Sequence, residues 1–180
     1  MMKKYTKQLL NTASKIKLVA TDIDGVLTAG EVIVLENGEE IKIWNVKDRQ
    51  GLHTLKQNLP DIKIAWITGR KSKQVEIRAK EQKVDYLVQE CRDKMKAVID
   101  IANKLSIGLS EVAYVGDDII DLCVLKKAGL SVCPKDAVVE AKKVSKYISQ
   151  YDGGKGVFRE VCEILLKANK KWEEIISKQL

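Results

Sequence analysis

The sequence predicts a doubly wound α/β fold, that is, a Rossmann-like parallel sheet with helices on both faces. Short apolar segments typical of buried strands alternate along the chain with longer segments of helical periodicity. Strands that alternate with helices form parallel sheets through right-handed crossovers. The 180 residues suit a single domain, since no internal repeat or low-complexity linker divides them. In such folds, ligands bind at the carboxyl ends of the strands.

The first elements follow from local signals. Residues 1–16 are predicted to be a basic lead-in with a weak apolar face, which we expect to be a solvated tail, and 17–180 the domain. A buried strand at 17–21 opens the domain. A β-hairpin flap at about 30–46 follows, because Asn-Gly separates two β-rich runs. Asp48 is predicted to cap a helix that ends near Asn58.

The remaining elements continue the alternation. Apolar runs predict the strands, while Asp93 is a helix cap and Gly129 a helix end. The predicted strands lie at 62–67, 86–88, 112–115, 130–133 and 147–148, and the helices run from 73 to about 83, from 94 to 105, after 118 to 128, and from 157.

Composition argues against several classes of function. The net charge of +7 comes from lysines at the two ends of the chain, and the sequence has only three Trp, five Tyr and one Phe. Nucleic-acid binding needs a clustered basic face and stacking aromatics, so we expect no nucleic-acid partner. No segment approaches the roughly 20 apolar residues of a membrane span. Four scattered cysteines and no secretory signal favour a reduced, cytoplasmic protein.

Polar side chains follow three predicted strands that a parallel sheet brings to one edge. Asp22 and Asp24 follow the first strand, Thr68 the strand at 62–67, and Asp117 and Asp118 the strand at 112–115. Each motif alone is also an ordinary turn or helix-capping sequence. Carboxylates that converge repel one another and need a cation, and a set of hard oxygen ligands suits Mg²⁺.

Such a site can transfer a phosphoryl group. One carboxylate can attack phosphorus and form an aspartyl-phosphate, while a second protonates the leaving oxygen and later activates water. A Thr68 hydroxyl and a Lys94 ammonium would balance charge on the transferred group. The alternative is that neither residue has a catalytic role: Thr68 would then cap a helix or turn, and Lys94 would be a solvated lysine on the surface.

These motifs resemble those of the haloacid dehalogenase superfamily of phosphotransferases, in order and spacing, over about residues 17–165. The matching stretches are 22–28, 68–70, Lys94 and 116–121. The resemblance implies that Asp22 is the nucleophile and a Mg²⁺ ligand, and that Asp24 is the general acid and base, with its carbonyl on the metal. It implies that Thr68 and Lys94 hold the phosphoryl group, that Asp117 is the remaining ligand, and that Asp118 and Asp121 orient the ligands.

The spacing of the motifs leaves no room for a cap domain. A hairpin and one helix use up the chain between Asp22 and Thr68, and one helix and one strand use up the chain from Thr68 to Lys94. An open site is too wet for a small sugar phosphate, so either the substrate is macromolecular or a neighbouring subunit forms the lid. The hairpin is too apolar for a free flap, so we expect it to pair between subunits; the alternative is that it packs on its own domain.

Among capless members, the sequence resembles the 3-deoxy-D-manno-octulosonate 8-phosphate phosphatases, which are Mg²⁺-dependent homotetramers of lipopolysaccharide sugar synthesis. The matching stretches are 45–48, 68–73, 75–78 and 153–162. The guanidinium groups of Arg70 and Arg78 would meet the anionic sugar acid. The substrate contacts that the resemblance implies are Asp24, Asn45, Val46, Lys47, Asp48, Arg49, Gly69, Arg70, Arg78 and Lys94.

Three departures leave the exact sugar open. Arg49 stands where this family usually has Gly, and His53 and Lys155 stand where it usually has Arg. One alternative is a phosphatase of a nine-carbon sugar acid 9-phosphate, although Glu commonly replaces Arg70 in that group. A phospho-acceptor receiver domain also gathers acids, a Thr and a Lys, but it has no use for Asp24. A catalytically silent regulatory subunit is disfavoured, because every expected catalytic side chain is present.

Overall fold

The computed structural model describes residues 5–178 and residue 180. It contains a six-stranded sheet flanked by helices and a separate two-stranded hairpin. The strands are β1 (Leu18–Thr21), β2 (Ile33–Val34), β3 (Glu40–Ile41), β4 (Lys63–Ile67), β5 (Tyr86–Val88), β6 (Val112–Val115), β7 (Leu130–Cys133) and β8 (Tyr147–Ile148). The helices are α1 (Lys7–Ala13), α2 (Val46–Asn58), α3 (Lys73–Glu81), α4 (Lys94–Lys104), α5 (Leu122–Leu125), α6 (Val139–Val144), α7 (Val157–Ala168) and α8 (Trp172–Ser177).

The main sheet has the strand order β5-β4-β1-β6-β7-β8, and every neighbouring pair is parallel. The chain leaves the central strand β1 toward β4 and β5, and then crosses to β6 and the opposite half of the sheet. The strand order therefore reverses beside β1, which opens a crevice at the carboxyl ends of β1, β4 and β6. This topology confirms the predicted doubly wound fold.

Two apolar cores cover the faces of the sheet, because successive strand residues point to opposite sides. On β1, Val19 joins a core made with α1, α2, α3 and α7, whereas Leu18 and Ala20 join a core made with α4, α5 and α6. All four residues of β1 are buried. The central strands are thus held rigidly from both faces, which fixes the positions of the side chains that follow them.

The N-terminal segment is part of the fold. Helix α1 packs on α7, and Tyr5, Leu9, Ala13 and Ile16 are all buried in the first core. The expectation of a solvated tail is therefore wrong, because the apolar face of α1 packs against α7 and β7. The residues 1–4, with two of the N-terminal lysines, lie outside the described residues.

Helix α2 begins at an earlier residue than the sequence predicts. Asn45 is its N-cap and accepts a hydrogen bond from the Lys47 N–H at 2.9 Å. Asp48 lies within the first turn, is buried, and accepts from the Arg159 N–H at 2.7 Å. The prediction that Asp48 caps α2 is wrong, since its carboxylate instead binds the free N–H groups at the start of α7.

Other elements differ in length. After β6, a 3₁₀ turn at Ile119–Asp121 and the four-residue helix α5 replace the predicted long helix, because the Asp121 side chain folds back onto the preceding backbone. The hairpin contains only two paired residues in each strand. Helix α8 was not predicted. The exposed apolar residues of the hairpin are Val32, Ile33, Val34, Leu35, Ile41 and Ile43.

Candidate active site

The sheet brings the predicted catalytic residues to one crevice. Asp22 follows β1 and donates its backbone N–H to the Val115 carbonyl at 2.9 Å, which extends the ladder to β6. Thr68 follows β4 and donates its N–H to the Val88 carbonyl at 2.9 Å. Both side chains are buried at the switch point of the sheet, so their positions are set by the strands and not by flexible loops.

Lys94 is a buried cation in this crevice. It begins α4, its side chain is 3% exposed, and its Nζ lies 3.1 Å from Asp22 Oδ2 and 2.7 Å from Asp121 Oδ1. Burial lowers the pKa of Lys94, but Asp22 and Asp121 outweigh it and the net pKa is raised. The ammonium therefore stays charged beside Asp22, and its interpretation as a solvated surface lysine is wrong.

Asp121 is the structural centre of the acidic loop. Its Oδ1 accepts from Lys94 and, at 2.6 Å, from the Tyr114 hydroxyl. Its Oδ2 accepts from the backbone N–H groups of Asp117 at 3.1 Å and Asp118 at 3.3 Å. With both oxygens engaged and no exposed surface, this carboxylate orients the Asp117 loop and Lys94.

Asp117 supplies the second carboxylate of the crevice that could bind a cation. A Cβ at Gly25 would lie 2.1 Å from Asp117 Oδ2, so only glycine there, at φ +94°, lets this carboxylate approach the loop after β1. Its Oδ1 is buried and has no hydrogen-bond partner within residues 5–178 and 180. Burial, followed by the charges of Asp22 and Asp121, raises the pKa of Asp117 to about 7.

The acids together fit a divalent cation. One ligand atom each from Asp22, Asp117 and Asp121 lies within 4.8 Å of the others. Burial raises the pKa of Asp22 to about 6 even though Lys94 opposes the shift. A cation between Asp22 and Asp117 would relieve this repulsion and satisfy the orphaned Asp117 oxygen. Hard carboxylate oxygens and space for water suit Mg²⁺.

Asp24 lies at the mouth of the crevice and contacts a residue that sequence reasoning missed. Its Oδ1 pairs with the Lys42 ammonium, which arrives from the hairpin. The signal for Lys42 was its alternation with Ile41 and Ile43, since a lone lysine between apolar strand residues points to the opposite face. Asp118, predicted to orient ligands, is exposed and caps the 3₁₀ turn.

The predicted substrate contacts near β4 form a looser group. Gly69 and Arg70 are exposed at the end of β4, and the Arg70 guanidinium pairs with Glu40 of the hairpin. Arg78 on α3 lies 2.6 Å from Glu81, and its guanidinium is 6.0 Å from the Trp44 ring. Both arginines thus flank the stem of the hairpin.

The predicted contacts at the start of α2 that have partners in the structure pair with α3 and with the C-terminal part of the chain. Val46 and Lys47 are exposed, and Arg49 pairs with Glu81 at 3.4 Å. Asn45 donates to the Gly154 carbonyl at 2.9 Å, and Asp48 faces α7. These contacts fasten the start of α2 to the C-terminal part of the chain.

The glycine-rich segment near the C-terminus packs against the loop after β1. A Cβ at Gly153 would lie 2.1 Å from the Gly25 carbonyl oxygen, and Gly154 donates its N–H to Val26 at 2.9 Å. The segment therefore supports the loop after β1 of its own chain. Among residues 5–178 and 180, no helix combines the length and apolarity needed to cross a bilayer.

Comparison with known proteins places the chain in a family. The family model of haloacid dehalogenase-like hydrolases matches residues 28–161. The chain is 42% identical over 162 residues to the 3-deoxy-D-manno-octulosonate 8-phosphate phosphatase KdsC of Escherichia coli K12, covering 90% of this chain and 85% of that relative. It is 37% identical over 165 residues to the enzyme of the same name from Yersinia pestis, covering 92% and 87%.

Solved structures agree with these sequence matches. The fold superposes with a TM-score of 0.93 on the Moraxella catarrhalis 3-deoxy-D-manno-octulosonate 8-phosphate phosphatase in complex with magnesium, phosphate and KDO, at 38% identity, covering 98% of this chain and 100% of that chain. The cobalt-bound deoxy-D-mannose-octulosonate 8-phosphate phosphatase of Haemophilus influenzae gives a TM-score of 0.84 at 32% identity, covering 89% of this chain and 92% of that chain. The chain is therefore an enzyme of the haloacid dehalogenase-like hydrolases and belongs, within them, to the family of 3-deoxy-D-manno-octulosonate 8-phosphate phosphatases.

Proposed function

We propose that this enzyme hydrolyses 3-deoxy-D-manno-octulosonate 8-phosphate to the free sugar acid and inorganic phosphate, with Mg²⁺ as cofactor. The observation that carries the proposal is the position of the buried Asp22. Its Oδ2 lies 3.1 Å from the Lys94 ammonium, and one of its carboxylate oxygens lies within 4.8 Å of a carboxylate oxygen of Asp117. The relative that was crystallised with magnesium, phosphate and KDO supports the choice of both cofactor and substrate.

In the first step, Asp22 attacks the phosphorus atom and the bond to the sugar oxygen breaks. The leaving oxygen takes a proton from the Asp24 carboxyl, so the products are an aspartyl-phosphate on Asp22 and the free sugar. Lys94, already charged, balances the negative oxygens as the phosphoryl group moves, and Thr68 donates its hydroxyl to one of them.

In the second step, the Asp24 carboxylate removes a proton from water as the water attacks phosphorus. The bond to Asp22 breaks, inorganic phosphate leaves, and both aspartates return to their starting forms. Mg²⁺, held by the side chains of Asp22 and Asp117 and the Asp24 carbonyl, would supply positive charge to the phosphoryl oxygens. Asp121 keeps Asp117 and Lys94 in place through its hydrogen bonds, and Asp118 caps the 3₁₀ turn that follows Asp117.

The sugar acid is held by residues around the crevice in this proposal. Arg70 and Arg78 flank the hairpin stem and present guanidinium groups suited to a carboxylate. Gly69 precedes Arg70 and carries no side chain, and residues 45–49 at the start of α2 complete the proposed substrate contacts. A nine-carbon sugar acid 9-phosphate is the alternative substrate, and Arg49, His53 and Lys155 are the departures from the family pattern that leave the exact sugar open.

We also propose that the hairpin joins subunits into a homotetramer. Ile43 is 67% exposed and Val34 62%, and four further apolar residues of the hairpin are more than 40% exposed. A monomer leaves this surface in water, whereas pairing with another copy buries it. We propose that the assembled enzyme works in the cytoplasm, at a step of lipopolysaccharide sugar synthesis, with residues 17–180 as its single catalytic domain and the N-terminal helix α1 packed on that domain.

Phosphate release from a panel of sugar phosphates, with and without Mg²⁺, tests the function. We expect the eight-carbon acid phosphate to be the best substrate and a chelator to abolish turnover. Asp22→Asn is expected to abolish phosphate release while leaving the circular dichroism spectrum unchanged, and Asp24→Asn to slow both steps. Turnover that survives chelation contradicts the mechanism, whereas preference for the nine-carbon acid contradicts only the substrate.

A further inference from the structure

A buried lysine from the hairpin reaches the loop that carries the two catalytic aspartates. The Lys42 side chain is 4% exposed, and its Nζ contacts Asp24 Oδ1. Its neighbours Ile41 and Ile43 are 42% and 67% exposed. An ammonium that loses its hydration needs a carboxylate to compensate, so the contact with Asp24 explains why this one side chain turns inward.

The segment that carries Lys42, which follows β3, is fastened on both sides of this residue. Glu40 pairs with Arg70, at the end of β4. Trp44 stacks on Trp66 of β4, with ring centroids 5.5 Å apart and planes 13° from parallel. Glu40, Lys42 and Trp44 alternate with the exposed isoleucines, so one face of this extended segment is anchored to β4 and the loop that follows it. The Lys42 ammonium therefore reaches Asp24 from a fixed direction.

The two oxygens of Asp24 are in different situations. Oδ1 is held by Lys42, whereas Oδ2 is buried and has no hydrogen-bond partner in the described part of the chain. A carboxylate that is fixed through one oxygen keeps the other in a defined position. Lys94 does not contribute to this contact, because its ammonium is engaged by Asp22 and Asp121.

We propose that Lys42 is a positioning residue for proton transfer, which fixes the Asp24 carboxylate through Oδ1 and leaves Oδ2 to exchange the proton. This inference rests on the proposed function, in which Asp24 protonates the leaving sugar oxygen as the bond from phosphorus to that oxygen breaks. Asp24 regains a proton from the water that attacks the aspartyl-phosphate. Lys42 keeps its own protons throughout and acts only through Asp24.

Substrates with different leaving groups separate positioning from folding. The sugar oxygen needs a proton as it leaves, whereas the p-nitrophenolate of p-nitrophenyl phosphate does not. We expect Lys42→Met to lower kcat/KM by about 10- to 100-fold for the sugar phosphate and by less than about 3-fold for p-nitrophenyl phosphate. Lys42→Arg, which keeps the charge, is expected to recover most of the loss. An equal loss on both substrates, or no loss, overturns the proposal.

A matched control is Lys56→Met, since Lys56 pairs with Asp85 at 3.2 Å, beside the amino ends of the strands. It is expected to leave both rates unchanged. In the Asp24→Asn background, Lys42→Met is expected to change kcat/KM by less than about 2-fold, because its target is already lost. If Lys42→Met lowers kcat/KM by the same factor in the Asp24→Asn background as in the wild type, the proposal is contradicted. If circular dichroism shows that Lys42→Met does not fold, Lys42→Gln carries the same comparison.

A crystal structure of Lys42→Met with Mg²⁺ gives a reading that does not depend on turnover. We expect the Asp24 side chain to rotate or lose its defined density while Asp22 and Asp117 stay in place, and an unchanged Asp24 overturns the proposal. Wild-type enzyme that releases no phosphate from the sugar phosphate contradicts the proposed function alone, and this crystal structure then decides whether Lys42 positions Asp24.

Discussion

Asp48→Asn is expected to change how the stability of the enzyme depends on pH. Asp48 is 5% exposed, and burial raises its pKa from 3.8 to about 6, although the N–H groups of Arg159 and Phe158 oppose the shift. The carboxyl is therefore harder to ionise in the folded chain than in the unfolded chain. As pH rises from about 4 to about 6, the unfolded chain releases this proton first, so the wild-type enzyme loses stability.

The size of this effect follows from the difference in pKa. At 1.36 kcal/mol for each unit, the carboxyl costs about 3 kcal/mol of folding free energy once the pH exceeds about 6. Asparagine does not ionise, and its carbonyl oxygen still accepts the Arg159 N–H. Its amide nitrogen replaces Oδ2, which has no partner among the described residues. That replacement shifts the stability of the variant by a constant and leaves its pH dependence unaffected.

Urea unfolding of both proteins at equal concentration, between about pH 4 and pH 7, measures the effect. The free energy of unfolding of Asp48→Asn minus that of the wild type is expected to rise by about 3 kcal/mol across this range. Asp61→Asn, at an exposed carboxylate, is the control and is expected to give a flat difference. A flat difference for Asp48→Asn would refute the assignment of Asp48 as a buried acid at the start of α7.

Three further substitutions test other parts of the account. Asp121→Asn leaves the buried Lys94 with Asp22 as its remaining carboxylate partner in this network, so urea unfolding should show a loss of about 3 to 5 kcal/mol, together with slower phosphate release. Gly129→Ala would place a Cβ 1.9 Å from the Ser110 carbonyl oxygen, which predicts a loss of about 3 kcal/mol, whereas Gly108→Ala, with 3.6 Å of space, is expected to cost less than about 1 kcal/mol. Ile43→Lys should shift the mass in light scattering from oligomer to monomer, while Ile99→Lys on α4 should not; an unchanged mass for Ile43→Lys excludes the hairpin as the subunit contact.

The sequence was informative where local patterns determine structure. Apolar runs marked the strands of the main sheet. Because parallel strands end at the same edge of a sheet, the polar residues that follow them were predicted to lie together. Asp22, Thr68 and Asp117 were predicted on that basis, and the structure brings them to the same edge of the sheet. The Asp93 cap of α4 was also predicted, and its side chain accepts from the Lys96 N–H at 2.9 Å.

The features that could not be predicted depend on contacts between distant segments. Lys42 reaches Asp24 only because the hairpin folds back over the loop after β1. Asp48 turns away from the start of its own helix because α7 presents unsatisfied N–H groups to it. The lead-in is buried because α1 finds an apolar face on α7. In each case the partner lies far away in sequence, so no local pattern identifies it.

The mechanism requires a divalent cation between Asp22 and Asp117, and anomalous diffraction from crystals soaked with Mn²⁺ locates such an ion. We expect a single strong peak at about 2.2 Å from one carboxylate oxygen of each aspartate, and loss of that peak in Asp117→Asn. A peak elsewhere, or none between these two carboxylates at saturating Mn²⁺, means that the two aspartates do not form the metal site.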